Sequence, residues 1–207
     1  MTEQTKKGRE LFIGLVSAVG TDLSRVTELL TETLAIYSYR AFAIRLAELL
    51  DELSLVNKDL KKSPADEYIK SHMDAGDDLR QKTGRADALT VLAFRKVQEI
   101  RETGSDLRRA FIFRSLKHPD EIASLRSVYG DSFYLIAAYS SQEKRKLLLA
   151  QIGVTAFMDL KVRLRSSSWS TPSVGGGQID ALVSALADSD LFAVKCRSGS
   201  CNTYCWT

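Results

Sequence analysis

Cysteine is nearly missing. The three present, Cys196, Cys201 and Cys205, lie close to the end of the chain, and residues 1–195 hold none. A disulfide framework is excluded for the body of the protein, as expected of a reducing compartment such as the cytoplasm. Their spacing, C-x4-C-x3-C, lacks the paired C-x2-C ligands of a zinc knuckle, so zinc is not expected and the thiols read as exposed and free. Histidine occurs only twice. His72 has no partner nearby in sequence, and His118-Pro119-Asp120-Glu121 reads as a helix start rather than an acid/base or metal site. Neither supports a catalytic or metal assignment.

No apolar run approaches the roughly 18 residues of a membrane span, and Met1 to Glu10 is polar, so neither a span nor a secretion signal is expected. Charge of one sign is also lacking. Lys and Arg number 29 against 26 Asp and Glu, a balance of +3. Bulk electrostatics therefore argue for neither a nucleic-acid nor a membrane partner, and any anion site must be local.

What is present is enough apolar material for one buried core: 44% of 207 residues. Short runs rich in β-branched and aromatic residues alternate with stretches of helical period, the pattern of a mostly parallel sheet flanked by helices. Strands are predicted at Leu11–Val16, Ala41–Ile44, Ala110–Arg114 and Phe133–Tyr139, with Leu191–Val194 as one more. Helices are predicted around 23–37, 64–79, 87–101, 120–129 and 142–152. The core is expected over 9–157. Beyond it come a segment at 158–194, turn-rich through SSSWSTPSVGGG at 166–177, and an irregular cysteine-bearing tail at 195–207.

The segment after the first strand runs Gly14-Leu15-Val16-Ser17-Ala18-Val19-Gly20-Thr21-Asp22-Leu23-Ser24: strand, small-residue turn, helix start. A working phosphate loop, GxxxxGK[ST], cradles phosphates with backbone amides, neutralises them with its lysine and holds magnesium through its hydroxyl. Laid on that pattern, Ser17 stands for the first Gly, Asp22 for the second, Leu23 for the Lys and Ser24 for the hydroxyl. Gly20, Ser17 and Ala18 permit close backbone approach, but the lysine is absent and Asp22 brings a negative charge. Two readings stand: a retained nucleotide site, or a tight turn with Thr21 or Asp22 capping the helix.

The strand at 110–114 should emerge beside this loop, where phosphoryl-transfer enzymes usually present an acid for magnesium. Here the residue is Arg114. With lysine and acid both missing, phosphoryl transfer loses its main electrostatic stabilisers, so kinase activity and magnesium are not expected. Arg114, Lys117 and His118 form instead a basic group past the strand end, where α/β sheets bind ligands. The other reading is a solvated turn before a helix. The stretch Asp74 to Asp87 mixes charges with Gly76 and Gly84 between two helices; it reads as a solvated helix-turn-helix, with Arg85 and Asp87 as candidates for contact with a nucleotide.

The stretches ELFIGLVSAVGTDLSRV, RQKTGRADAL and AFIFRSLKHPDEIASLRSVYGDSFYLIAAYS resemble the N-terminal domain of bacterial two-domain deoxycytidylate deaminases used in defence against phage, over about Leu11 to Ile152. The resemblance implies a P-loop nucleotide-kinase-like, three-layer fold, and dCTP or dCMP chemistry in a complete protein with a C-terminal zinc deaminase domain. That chemistry uses an H-x-E motif and a downstream P-C-x-x-C. Neither motif occurs here, so no deamination by this chain is expected, and a truncated or frame-disrupted member is the expectation. A deaminase domain or a second copy is the implied partner. The combined expectation is a catalytically degenerate nucleotide-binding or regulatory domain; the alternatives are an active nucleotide kinase using a displaced lysine such as Lys117, and an interaction domain without a ligand.

Overall fold

The computed structural model describes residues 10–53, 60–103, 108–154, 193–197 and 200–204. Four strands form one parallel sheet: β1 (Leu11–Ser17), β2 (Arg40–Arg45), β3 (Arg109–Leu116) and β4 (Phe133–Ala138), in the order β2-β3-β1-β4. Helices α1 (Leu23–Ile36), α2 (Ala65–Thr83), α3 (Ala88–Thr103), α4 (Pro119–Tyr129) and α5 (Gln142–Gln151) connect or follow them. Short 3-10 turns at Leu46–Leu50 and Gly130–Ser132 complete this unit.

The apolar residues of the strands divide by parity, because successive side chains leave opposite faces of a sheet. Ile13 and Leu15 of β1 join Ile112 of β3 against Leu23 and Val26 of α1. Phe12, Phe111 and Phe113 take the other face and pack with Leu79 of α2, Leu89, Ala93 and Val97 of α3, Leu125 of α4, and Leu46 and Leu50 of the 3-10 turn. Phe12 stacks on Phe111 at 5.3 Å between centroids and on Tyr129 at 3.6 Å. Because both faces are covered, the strands read as nearly continuous apolar runs, which made them visible in sequence.

The α/β class and the parallel sheet agree with expectation, and so do β1, β2 and β4 to within a residue or two at each end. The second helix extends four residues beyond Leu79 to Thr83 and stops at Gly84, whose φ of +63° ends it in the left-handed conformation. Of those extra residues Gln81, Lys82 and Thr83 are polar because they face solvent, with Lys82 paired to Asp78 at 2.7 Å, while Arg80 turns inward to Glu121. β3 also runs longer than expected, to Leu116, and carries an irregularity near its end.

The tail differs from the irregular segment expected. β5 (Ala193–Arg197) pairs antiparallel with β6 (Ser200–Tyr204), so the strand anticipated at 191–194 starts two residues later. Two short strands pair through their backbones without a periodic apolar pattern, and Val194, Thr203 and Tyr204 favour extended chain. The turn-rich segment 166–177, and 158–192 around it, lie outside the described residues. No helix among the described residues is long and apolar enough to cross a membrane.

Candidate functional site

β1 lies between β3 and β4, although the chain runs from it first to β2 at the sheet edge. Connections on the two sides of β1 therefore diverge, and the carboxyl end of β1 is the crevice where open α/β sheets accept ligands. Ser17, paired with Ala138 of β4, is the last residue before it.

The loop that follows is turned in on itself. The Thr21 amide donates to the Ala18 carbonyl at 3.2 Å, and the Leu23 amide to the Thr21 carbonyl at 2.9 Å. Asp22 is the N-cap of α1: its Oδ1 accepts from the amides of Ser24 and Arg25, each at 3.1 Å. These are donors that a bound phosphate would otherwise use at a helix start. The capping role weighed for Asp22 is thus the one adopted, and its carboxylate occupies the place of a backbone phosphate cradle.

Gly20 and Gly14 serve packing. Gly20 has φ of +87°, and a Cβ there would stand 2.8 Å from the Arg145 carbonyl oxygen of α5. Arg145 in turn donates to the Val19 carbonyl at 3.3 Å and the Ser140 carbonyl at 3.1 Å, clasping the loop onto α5. Gly14 is buried within β1, where a Cβ would meet Leu116 Cδ1 at 2.6 Å and Phe133 Cζ at 2.9 Å. The close approach that these glycines permit is to protein.

Side chains remain as ligand donors. Arg114 Nη2 donates to Ser24 Oγ at 3.1 Å, bringing the end of β3 to the start of α1 as its position in sequence suggested. Its Nε is buried without an acceptor, and at the same corner Thr21 Oγ1 is buried without a partner. Buried polar atoms are rarely left unpaired, so two at one sheet edge need a reason. Desolvation pushes the Arg114 guanidinium below the usual arginine range, Arg45 adds repulsion, and Glu48 and Asp22 offset part of this from a distance. No carboxylate pairs with it among the described residues.

The end of β3 is also irregular. Gly14 pairs with Phe113 but Val16 pairs with Leu116, so Arg114 and Ser115 together oppose Leu15 alone. Ser115 has φ of +66°, a conformation that side chains other than glycine rarely adopt. Such a bulge re-aims the residues around it, and strain of this kind gathers at binding sites.

No family model matches this chain, and no curated protein does.

The expected group of Arg114, Lys117 and His118 is not one cluster. Arg114 is surrounded by Arg45, Glu48 and Asp22, whereas the charges acting on Lys117 are Arg80, Glu121 and Asp77. His118 caps α4: its Nδ1 accepts from the Asp120 amide at 3.2 Å, and Glu121 Oε2 accepts from the His118 amide at 3.0 Å. Glu121 is fully buried and was missed as a key residue. It also accepts from the Lys117 amide at 2.7 Å and from Arg80 Nη2 at 3.2 Å, locking the end of β3 to α2 and α4. A glutamate three residues after a cap was the available signal.

Arg85 and Asp87 are turned to each other. Arg85 donates to both carboxylate oxygens at 3.0 and 2.8 Å, and Ser124 Oγ of α4 donates to Asp87 at 2.6 Å. These bonds hold the Asp87 carboxyl down to about 2. The pair fastens the α2–α3 corner to α4, which fits the structural reading given to this stretch. His72, seen as partnerless in sequence, is buried with Nε2 3.2 Å from Asp51 Oδ1 and Nδ1 2.9 Å from the Tyr68 carbonyl. The partner was invisible because Asp51 lies 21 residues away.

Magnesium does not fit the donors at this edge. Asp22 is committed to α1, Glu121 is saturated by donors, and β3 carries Arg114 near its end. Among the described residues no group of three His, Cys, Asp or Glu side chains is placed to hold a metal ion.

Proposed function

We propose that this chain is a catalytically degenerate, kinase-like α/β domain that binds a nucleotide through its phosphate at the carboxyl edge of the sheet. The observation that carries the reading is Arg114: a guanidinium seated on Ser24 at the topological switch point, partly desolvated, with Nε lacking an acceptor. An anionic oxygen there makes charge-assisted hydrogen bonds, each about twice as strong as a neutral one. Thr21 Oγ1 and Ser24 Oγ supply further donors. The strand order β2-β3-β1-β4 is compatible with the P-loop kinase-like fold that the sequence resemblance implies.

Recognition here is led by side chains, because the amides of Thr21, Leu23, Ser24 and Arg25 are already used. Phosphoryl transfer has no support from these residues: no lysine stands on the loop, Asp22 repels phosphate, and the acids nearby are occupied. Binding without turnover is the function of a sensor or regulatory domain, in keeping with the resemblance to the first domain of deoxycytidylate deaminases. A deaminase domain or a second copy is the partner that this resemblance suggests.

The test is the melting temperature of the chain with ATP, dATP, dCTP, dCMP or GTP at millimolar concentration, in EDTA and in magnesium. A ligand that binds only the folded state raises it. A rise with one nucleotide that persists in EDTA and disappears in Arg114→Met supports the proposal. A rise strictly requiring magnesium favours a kinase that recruits Lys117, to be followed by a phosphotransfer assay. No rise with any nucleotide rejects the site and leaves an interaction domain.

A further inference from the structure

Arg45, the last residue of β2, stands opposite Arg114 of β3 in the register of the sheet. Neighbouring strands lie about 5 Å apart, so two arginines start side by side at the carboxyl edge. They also share a face. In the same register Ala41 opposes Ala110 and Ala43 opposes Ile112, and both Ile112 and Ala41 belong to the core on the α1 side. Two residues further along each strand the same face recurs, and Arg114 accordingly reaches Ser24 of α1.

Like charges at opposed positions of a sheet repel one another. A single carboxylate relieves this in the free protein. Glu48 Oε1 accepts from Arg45 Nη1 at 2.8 Å, with the two side chains 48% and 45% exposed. Glu48 stands in the 3-10 turn, where Leu46, Leu49 and Leu50 are buried, so its backbone is anchored while its carboxylate can swing into water. It also attracts the Arg114 guanidinium, which burial and then Arg45 push below the usual arginine range. One carboxylate therefore serves two arginines, and Arg114 Nε still lacks an acceptor. A half-exposed ion pair contributes little to stability and is readily exchanged. A phosphate offers more acceptor oxygens than a carboxylate and meets arginine forks through paired, charge-assisted bonds.

We propose that Glu48 is a built-in competitor of the ligand: it holds Arg45 in the free protein, and a nucleotide phosphate displaces it to be clamped between Arg45 and Arg114. This rests on the nucleotide reading above and concerns the regulation of that same site. Arg45 is paired in both states, first with the carboxylate and then with the phosphate, so the side chain of Glu48 moves while the turn that carries it stays in place. Affinity is set below what the two arginines would give without the competitor.

The experiment is calorimetric titration in EDTA of wild type, Arg45→Met, Glu48→Gln, the double variant and Arg114→Met with dCMP, dCTP, AMP and ATP. For the nucleotide that wild type binds, Arg45→Met should weaken binding about tenfold, and Glu48→Gln should tighten it a few-fold. Glu48→Gln made in the Arg45→Met background should change nothing, because the competitor acts only through Arg45. Both positions are half exposed, so the melting temperatures of the free variants should stay close to that of wild type, which separates a change of affinity from a loss of fold. Equal tightening by Glu48→Gln in both backgrounds means that its charge acts from a distance, and it overturns displacement. Unchanged affinity in Arg45→Met, with binding lost in Arg114→Met, overturns this proposal and leaves the Arg114 site standing. Binding of no nucleotide to either wild type or Glu48→Gln overturns both.

Discussion

Arg114 Nη2 donates to Ser24 Oγ across 3.1 Å, joining residues 90 positions apart in the chain. This bond links the end of β3 to the start of α1 at the switch point of the sheet. It leaves Nε buried without an acceptor and the guanidinium without a carboxylate.

Asp22→Ala separates structure from binding by opposite signs. Loss of the cap on Ser24 and Arg25 should cost about 1 kcal/mol, read by urea denaturation. The same change removes a negative charge and frees two amides beside the phosphate position, so affinity for dCTP should rise a few-fold. A fall in both quantities would show that Asp22 supports the bound ligand.

Glu121→Ala should be the most damaging polar substitution among these residues. It leaves Arg80, whose side chain is 18% exposed, without its buried partner and strips two amides of their acceptor. Breaking such a pair costs about 3 kcal/mol or more. Chemical denaturation reads the loss, and a change under about 1 kcal/mol would show that water replaces the carboxylate.

Gly20→Ala meets two obstacles at once: a φ of +87° and the Arg145 carbonyl 2.8 Å from the new Cβ. A loss of roughly 2 kcal/mol is expected, together with loosening of the loop from α5. Hydrogen exchange at 18–25 and 142–151 should rise together. If it rises at neither segment, the loop and α5 are not coupled.

Acid stability should depend on Asp87. Its carboxyl titrates at about 2 in the folded protein, held down first by Arg85 and then by Ser124, against an ordinary value near 3.8. A depressed folded value contributes stability that is present above the unfolded value and lost as pH falls through the folded one. The window is therefore about pH 4 to 2. Arg85 is largely exposed, so screening leaves roughly 1 kcal/mol. Asp87→Asn should flatten the decline of unfolding free energy with pH across that window; an unchanged slope would assign the acid sensitivity to other carboxylates.

How much was legible follows from the range of each interaction. Leu11–Ser17 and Phe133–Ala138 could be read as strands because both faces of a parallel sheet are covered, which makes their apolar character continuous. The helix starts were equally local: Asp22 and His118 cap within three residues of themselves. The extension of β3 was hidden, since a bulge is a mismatch with another strand and leaves no mark on its own residues. His72 was misjudged for the same reason, its acid being 21 residues distant.

The candidate site divides along that line. Sequence alone determined that a small-residue loop follows the first strand, that it lacks a lysine, and that Arg114 stands near the end of the third strand. Tertiary structure decided what each residue faces. It gave the amides of Ser24 and Arg25 to Asp22 and those of Thr21 and Leu23 to the loop's own carbonyls, turned Gly20 to α5, set Arg85 against Asp87, and parted Arg114 from Lys117. Composition and local spacing fix which charges exist and where the backbone can turn. Only the register of distant strands and the packing of helices on them determine which charges are neutralised, and so which are left for a ligand.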